Sequence, residues 1–511
     1  MTSSVSASTL PGVLDGAKKG SAPGLVVAGG GPKLTHAQLT EQIESVGAQL
    51  RSFGVKPGDL VTLAFPNTIE FVVAFLAVAR IRAVAAPLNA AYKEDEFTFY
   101  IEDAKSSFLV VPKEGVPNAE AAAKTLNLPT LVVSFPSLEE GVKVAGKSGD
   151  LDAKKEEVKD AGPLPEEDDE ALFLHTSGTT SRPKGVPLSH LNLATSIRNI
   201  IKTYELTSED RTLIVMPLFH VHGLMASLLA TLSSGGTVVL PAGGRFSAST
   251  FWEDALAHQI TWYTAVPTIH QILLAKQKTA PVPPEKRPTL RFIRSCSSSL
   301  APAVLEKLEA EFDAPVLEAY AMTEASHQMT SNPLPKHGAH KPGTVGKATG
   351  IELAVLDEQD RPVPTGEIGE VSIKGANVTK GYKANPEANK VAFTSGWFHT
   401  GDRGKLDSEG YLTLTGRIKE LINRGGEKIS PIEVDEALLA HPAVSEAVAF
   451  AAPDEKYGEE VNAAVVLNSN EKVTGEDILA HIKDRLSAFK LPKKFVPLVA
   501  LEVDSEVYEL L

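Results

Sequence analysis

Residues 176–185 are the stretch of this chain best suited to chemistry, because they combine hydroxyl side chains, glycines and a lysine. They follow the apolar run 171–174, which is predicted to be a short buried strand. Backbone N–H groups and hydroxyls in such a loop can point at an anion, and Lys184 adds a positive charge, so phosphate binding is one interpretation. The loop is not a Walker A loop, since Pro183 lies where the second glycine should be and Gly185 where a Ser or Thr should hold magnesium. An ordinary surface loop has the same composition, so on composition alone both interpretations stay open.

Four more polar motifs follow predicted strands or glycine-rich segments. In the first, His220 and His222 flank one apolar residue, and in an extended segment they would share one face. The others contain Thr323 and Glu324, then Asp402, and then a basic, glycine-rich run. These motifs span residues 217–223, 318–324, 397–402 and 416–430.

The elements around these motifs alternate between helices and short apolar strands. The spacing of apolar residues predicts helices over 37–53, 68–79, 223–231 and 303–312, and strands over 59–65, 83–87, 211–216, 236–240, 261–265 and 314–317. Such alternation predicts a parallel sheet with helices on its faces.

The composition and the spacing of apolar residues change twice beyond this region. Many glycines and short alternating segments predict a small antiparallel, β-barrel-like subdomain at about 343–416. Helices over 431–440 and 475–486, with strands over 444–452 and 461–467, then predict a compact α+β domain. We therefore expect a large α/β domain of doubly wound sheets over 1–416 and a small, mobile C-terminal domain over 417–511.

The bulk composition is that of a globular protein with more than one domain. At 511 residues the chain is too long for one compact core, and its net charge of −14 argues against a nucleic-acid-binding role. The single cysteine, Cys296, excludes an intrachain disulfide and a cysteine-based zinc cluster. We expect neither a secretion signal, nor a membrane span, nor a C-terminal peroxisomal tripeptide, and a cytoplasmic or peroxisomal location.

Taken together and in this order, the five motifs resemble those of the adenylate-forming superfamily, which includes acyl-CoA synthetases, peptide-synthetase adenylation domains and luciferases. The resemblance extends from about residue 34 to about 493. Within the superfamily, the segments 173–181, 291–297 and 318–327 are similar to the oxalate–CoA ligase group of plants and fungi. The resemblance implies that a carboxylate attacks the α-phosphate of ATP, and that CoA then takes the acyl group to form a thioester and AMP.

The resemblance also implies roles for individual residues. Thr323 would hydrogen-bond the α-phosphate, and Glu324 would bind Mg²⁺. Asp402 would accept hydrogen bonds from the two ribose hydroxyls, and Arg417 would hold the ribose or phosphate. Lys419 would be the hinge between the two half-reactions, and the loop with Lys428 would swing inward for the thioester step. The β- and γ-phosphates would be held by Thr176, Ser177, Gly178, Thr179, Thr180 and Lys184, and the adenine would be lined by Ala319, Tyr320, Ala321 and Met322. Tyr320 would stack on the adenine. The alternative is that Tyr320 only packs in the core, and both can be true.

A small, doubly ionised acid needs hydrogen-bond donors rather than an apolar tunnel. The side chains that could supply them are His222, Ser297, Ser298 and His327, and His220 is assigned to the catalytic set. A lone histidine is more often structural, so these assignments rest on proximity to the motifs.

One feature departs from the family pattern. The family carries a late lysine that reaches the active site during adenylation, and residues 499–511 contain no lysine. We therefore expect this polypeptide to adenylate poorly while still converting a supplied acyl-adenylate to thioester. Two alternatives stay open: a CoA ligase for another short, medium-chain or aromatic acid, and a nucleotide-binding protein impaired in adenylation. The oligomeric state is left open.

Overall fold

The computed structural model of the chain describes residues 7–15, 20–147, 158, 160–176, 183–468 and 473–498. Its strands, in chain order, are β1 Pro23–Val27, β2 Lys33–Thr35, β3 Leu60–Ala64, β4 Val84–Leu88, β5 Phe108–Pro112, β6 Thr130–Ser134, β7 Lys143–Gly146, β8 Glu170–Thr176, β9 Lys184–Ser189, β10 Arg211–Leu213, β11 Thr237–Leu240, β12 Trp262–Ala265, β13 Phe292–Ser295, β14 Val316–Met322, β15 His327–Ser331, β16 Lys347–Ala348, β17 Glu352–Leu356, β18 Gly369–Lys374, β19 Phe393–Thr394, β20 Trp397–Leu406, β21 Leu412–Arg417, β22 Ile422–Arg424, β23 Glu427–Ile429, β24 Val444–Asp454, β25 Gly458–Leu467 and β26 Lys494–Leu498.

The α-helices lie between these strands for most of the chain. They are α1 Leu10–Asp15, α2 His36–Ser52, α3 Ile69–Arg80, α4 Glu94–Ala104, α5 Pro117–Thr125, α6 His190–Tyr204, α7 Ala230–Ser233, α8 Phe251–Ala257, α9 Pro267–Thr279, α10 Pro302–Phe312, α11 Pro386–Ala392, α12 Pro431–Leu439 and α13 Gly475–Ile482. In the described part of the chain, none of them combines the length and apolar character needed to cross a bilayer.

Two large sheets form the scaffold. One has nine strands in the order β16-β15-β14-β13-β12-β10-β11-β1-β2, and the other has seven in the order β7-β6-β5-β3-β4-β8-β9. The central strands β10 to β14 run parallel, as do β3, β4, β5 and β8. The predicted α/β fold with parallel sheets is therefore confirmed.

Helix α3 shows why the sequence forms these layers. Almost every residue of this apolar helix is buried, so it lies between layers rather than on the surface. Its first turn is capped by the hydroxyl of Thr68, which accepts a hydrogen bond from the Phe71 amide. The predicted bounds 68–79 are within one residue of the observed ones.

Two smaller sheets follow in the chain. Strands β17 to β21 form a five-stranded sheet whose pairs are all antiparallel, where the glycine-rich texture predicted the β subdomain. Strands β22 to β26 form another, which packs against α12 and α13 over its own core around Ile422, Val434, Val461 and Ile478.

The segment predicted as a helix over 223–231 is helical, but most of it is not an α-helix. Residues His222–Leu229 form a π-helix, and only Ala230–Ser233 are α-helical. Gly223 packs directly on the preceding main chain. A Cβ at this position would lie only 2.4 Å from the Pro217 carbonyl oxygen, so a side chain would not fit. π-Helical turns are frequent at functional sites, and this one begins at a candidate residue.

Candidate functional site

A strained turn at the end of β14 brings several of the predicted residues together. The strand runs into a short 3₁₀ turn, Thr323–Ala325, and returns as β15. Ser326 and His327 follow with φ of 51° and 96°, a conformation that side-chain-bearing residues adopt only when their surroundings hold them. Both residues are buried, so packing maintains this turn and thereby sets the positions of Glu324 and His327.

Glu324 and Lys184 meet on either side of a tyrosine. The hydroxyl of Tyr382 donates a hydrogen bond to Glu324 Oε1 at 2.7 Å, and Lys184 Nζ lies 4.1 Å from the centre of the Tyr382 ring. Burial lowers the pKa of Lys184, the negative charge of Glu324 opposes that shift, and the positive charge of Lys419 adds to it. The structure thus places the predicted phosphate lysine, metal carboxylate and hinge lysine within electrostatic reach of one another. Sequence reasoning missed Tyr382, which belongs to none of the five motifs.

Thr176 faces Lys184 across the β8–β9 hairpin. Its hydroxyl oxygen is buried and has no hydrogen-bond partner among the described residues. Ser177, Gly178, Thr179 and Thr180, which were predicted to complete this phosphate loop, lie outside the described residues.

The residues predicted to hold the ribose form a second group around Tyr320 of β14. The buried hydroxyl of Tyr320 donates to Asp402 Oδ2, and Arg417 Nε lies 3.3 Å from Asp402 Oδ1. Asp402 and Arg417 are cross-strand partners in β20 and β21. Burial raises the pKa of Asp402, while Tyr320 and Arg417 oppose that shift.

The other members of the predicted adenine wall lie on the same strand. Ala319 is buried, whereas Ala321, Met322 and the following Thr323 are half-buried. Tyr320 is only 8 % exposed, and burial raises the pKa of its hydroxyl far above the usual value. Its hydrogen bond to Asp402 is a contact that the sequence did not predict; stacking on adenine stays a prediction.

The predicted acyl pocket contains a hydrogen-bonded histidine. His222 Nε2 lies 2.6 Å from Thr264 Oγ1, and His222 Nδ1 lies 3.0 Å from Ser297 Oγ. The imidazole of His327 stacks on that of His222 with ring centres 5.1 Å apart. Burial and the nearby Arg294 hold the pKa of His222 well below its usual value, so the ring is neutral. Ser298 follows Ser297 in the exposed segment after β13.

Among the described residues no hydrogen bond or ring stack joins His220 to this group, but its charge contributes to the lowered pKa of His222. The prediction that it shares a face with His222 assumed extended backbone, and it is wrong because residues 218–220 turn into the π-helix. Helical neighbours two positions apart point in different directions, so His222 is buried while His220 is exposed.

Lys419 and Lys428 lie beyond β21. Lys419 occupies the exposed turn between β21 and β22. Lys428 is exposed on the β22–β23 hairpin, whose turn is made by Gly425 and Gly426 with φ of 59° and 98°. That hairpin belongs to the C-terminal sheet, a different sheet from the one that carries Glu324.

Known proteins share extensive similarity with this chain in sequence and in fold. The chain is 56% identical over 488 residues to an oxalate–CoA ligase of Arabidopsis thaliana, covering 95% of this chain and 94% of the relative. It is 48% identical over 457 residues to an oxalate–CoA ligase of Saccharomyces cerevisiae, covering 85% and 82%. The crystal structure of ATP-bound MatB from Rhodopseudomonas palustris superposes with a TM-score of 0.85 at 30% identity, covering 96% and 95%.

Two family models match along the sequence. The model described as AMP-binding enzyme matches residues 16–383, and that described as AMP-binding enzyme C-terminal domain matches residues 433–504. The chain therefore belongs to the AMP-binding enzyme family.

Proposed function

We propose that this chain is an ATP-dependent acid–CoA ligase that converts oxalate, ATP and CoA to oxalyl-CoA, AMP and diphosphate. The observation that carries the proposal is that Lys184 and Glu324 both contact Tyr382, while Asp402 contacts Tyr320 of β14, the strand that leads to Glu324. These residues offer a cation, a buried carboxylate and a second carboxylate, which are the kinds of group that phosphates, a divalent cation and ribose hydroxyls require. The oxalate–CoA ligases that cover most of the chain support oxalate as the acid.

In the first step, a carboxylate oxygen of the acid forms a bond to the α-phosphorus of ATP, and the bond to diphosphate breaks. Lys184 and Thr176 hold the phosphates that leave, and Thr323 donates to the α-phosphate. Because charge moves among phosphate oxygens, these positioned donors lower the barrier by electrostatic stabilisation. Asp402 accepts the ribose hydroxyls, with Arg417 beside it.

Glu324 fits a hard cation such as Mg²⁺. Glu324 is 5 % exposed, and among the described residues its carboxylate accepts one hydrogen bond, from Tyr382, so it would have oxygen lone pairs left to hold the ion. When bound, the ion neutralises charge on the phosphates.

In the second step, the sulfur of CoA attacks the carbonyl of the adenylate, the thiol proton is lost, and AMP leaves. The hairpin with Lys428 reaches the adenylate for this step by rotation of the C-terminal part about Lys419. We place the division between the two domains at 416/417, at the last residue of β21 and just before the exposed turn to β22.

The experiment is a screen of the purified chain with ATP, Mg²⁺ and CoA against oxalate, acetate, a medium-chain fatty acid and an aromatic acid. AMP formation is measured, and the thioester is identified by mass spectrometry. We expect kcat/KM to be highest with oxalate. A chain that forms AMP with another acid but not with oxalate would contradict the proposal.

The alternative functions are not favoured by the relatives. Both curated relatives described above are oxalate–CoA ligases. The hypothesis of impaired adenylation rests on residues 499–511, which lie outside the described residues. Diphosphate release from oxalate and ATP by this chain is the outcome that would refute it.

We also propose a cytoplasmic or peroxisomal location. The single cysteine is buried and unpaired, which fits a reducing compartment. Antibody imaging of the untagged chain checks this, and its recovery from the medium would contradict it.

A further inference from the structure

The candidate acyl pocket is built on a buried arginine that no prediction included. Arg294 lies on β13 with 0% exposure. Its Nε donates to the Tyr204 hydroxyl at 2.8 Å, its Nη1 to Thr264 Oγ1 at 3.0 Å, and its Nη2 to Gln328 Oε1 at 3.2 Å. All three acceptors are neutral.

No carboxylate lies within ion-pair distance of Arg294 in the described ranges. The nearest acid on the adjacent strand is Glu318, but its register partner on β13 is Ser295. Neighbouring residues of a strand point to opposite faces of the sheet, so Glu318 lies on the face opposite Arg294. Burying a charge without a counter-charge is costly, and this chain keeps such a charge beside His222.

Arg294 also determines which nitrogen of His222 carries the proton. Arg294 Nη1 lies 3.4 Å from His222 Nε2, and because a guanidinium only donates, that nitrogen is an acceptor. The Thr264 hydroxyl donates to the same nitrogen. The proton of the neutral imidazole is therefore on Nδ1, which donates to Ser297 Oγ. Ser297 accepts this bond, so its own hydroxyl proton is free to donate to a ligand.

His327 supplies a second observation that points to a ligand. It is 1% exposed, and its Nε2 is buried with no hydrogen-bond partner among the described residues. It stacks on His222, and the strained turn after Glu324 holds it there. A buried polar atom without a partner is costly unless a ligand or water satisfies it.

We propose that Arg294 is the specificity-determining charge that makes this site select an acid with a second ionised carboxylate. Its positive field favours the doubly charged substrate, and its contact with His222 orients the donors, Ser297 and His327, that receive the second carboxylate. Arg294 is thus a positioning residue. The inference rests on the proposed function, because it concerns the acid that is adenylated.

The test compares oxalate with oxamate, its monoamide, which has nearly the same shape and one charge fewer. The quantity is the ratio of kcat/KM for the two acids, which cancels general damage to the enzyme. In Arg294→Gln we expect this ratio to fall about tenfold or more. In Arg294→Lys we expect the ratio to be largely retained, because the positive charge is kept. ATP affinity and thermal unfolding are measured on each variant.

A second variant tests the same charge in case Arg294→Gln does not fold. Gln328→Glu is nearly isosteric and places a carboxylate against Arg294 Nη2, so the charge is neutralised while the arginine remains. We expect the oxalate-to-oxamate ratio to fall here as well. Arg291→Gln is the matched control, because Arg291 is exposed, pairs with Asp210 and precedes the same strand; it should leave the ratio unchanged.

The outcomes separate the two proposals. A parent chain that is inert towards oxalate would overturn the proposed function and this inference with it. A parent chain active with oxalate, whose ratio stays within about twofold in both Arg294→Gln and Gln328→Glu, would overturn only the role of Arg294. A fall in the ratio in either variant, with ATP affinity unchanged, supports it.

Discussion

The ammonium group of Lys184 lies over the ring of Tyr382, with Nζ 4.1 Å from the ring centre. Because the hydroxyl of the same tyrosine donates to Glu324, one side chain joins the proposed phosphate lysine to the proposed metal carboxylate. A cation over an aromatic face and a charge-assisted hydrogen bond are both strengthened by burial. Tyr382 thus orients two charged groups that the nucleotide would use together.

Tyr382→Phe keeps the ring under Lys184 and removes the hydrogen bond to Glu324. We expect the Mg²⁺ concentration for half-maximal diphosphate release to rise about tenfold, since a hydrogen bond to a charged group contributes about 1.5–3 kcal/mol. The measurement is a Mg²⁺ titration at saturating ATP and oxalate. Tyr411→Phe is the matched control, because Tyr411 also has a lysine over its ring, at 4.1 Å, but donates to the Ala339 carbonyl. Equal Mg²⁺ requirements in both variants would contradict the role of Tyr382.

Asp402→Asn tests the ribose site. The substitution keeps the size of the side chain but removes its charge and one acceptor. We expect KM for ATP to rise about tenfold to a hundredfold with a smaller change in kcat, because ribose binding is used in both the ground and the transition state. Steady-state kinetics with varied ATP concentration measure KM for ATP and kcat. Glu409→Gln is the control, since Glu409 is exposed near the same sheet and pairs with Lys341. An unchanged KM for ATP in Asp402→Asn would rule out the ribose role.

Lys428→Ala separates the two half-reactions. Lys428 is exposed on its hairpin, so its removal should change the free energy of unfolding by no more than about 0.5 kcal/mol relative to the parent. Diphosphate release from oxalate and ATP should be unchanged, while thioester formation from a supplied oxalyl-adenylate should slow about tenfold or more. Single-turnover assays of each step give the comparison, with the exposed Lys456 changed to Ala as control. Equal slowing of both steps would show that Lys428 has no specific role in thioester formation.

Glu318→Gln should change how stability depends on pH. Burial raises the pKa of Glu318 from 4.5 to about 8. Between those values the folded chain keeps a proton that the unfolded chain has lost, so this group lowers stability as pH rises from 4.5 towards 8. Glutamine carries no charge at any pH, so we expect the variant to gain stability relative to the parent between pH 5 and 8, on the order of a few kcal/mol.

Denaturant unfolding of Glu318→Gln at several pH values provides the measurement. Glu306 is exposed on α10, and Glu306→Gln should follow the parent at every pH. If Glu318→Gln and the parent lose stability in parallel as pH rises, the effect does not come from Glu318.

Local elements were largely predictable because they depend on neighbours in the chain. The apolar spacing that predicted helices over 37–53 and 303–312 corresponds to α2 His36–Ser52 and α10 Pro302–Phe312. The strand predicted over 261–265 is β12 Trp262–Ala265. The π-helix over His222–Leu229 was not predictable from apolar spacing, which predicted an ordinary helix over 223–231.

The sequence by itself determined the fold class, the order of the motifs and most of the charged groups of the candidate site, because motif residues such as Lys184, Glu324 and Asp402 lie in short, ordered runs. Only the tertiary structure decided that Tyr382 contacts Lys184 and Glu324, that Arg294 contacts His222, and that His220 and His222 do not lie in one extended segment. The physical reason is that parallel strands gather side chains from distant segments at one edge of a sheet, and that burial and backbone direction then select which of them face one another. No spacing along the chain records those contacts.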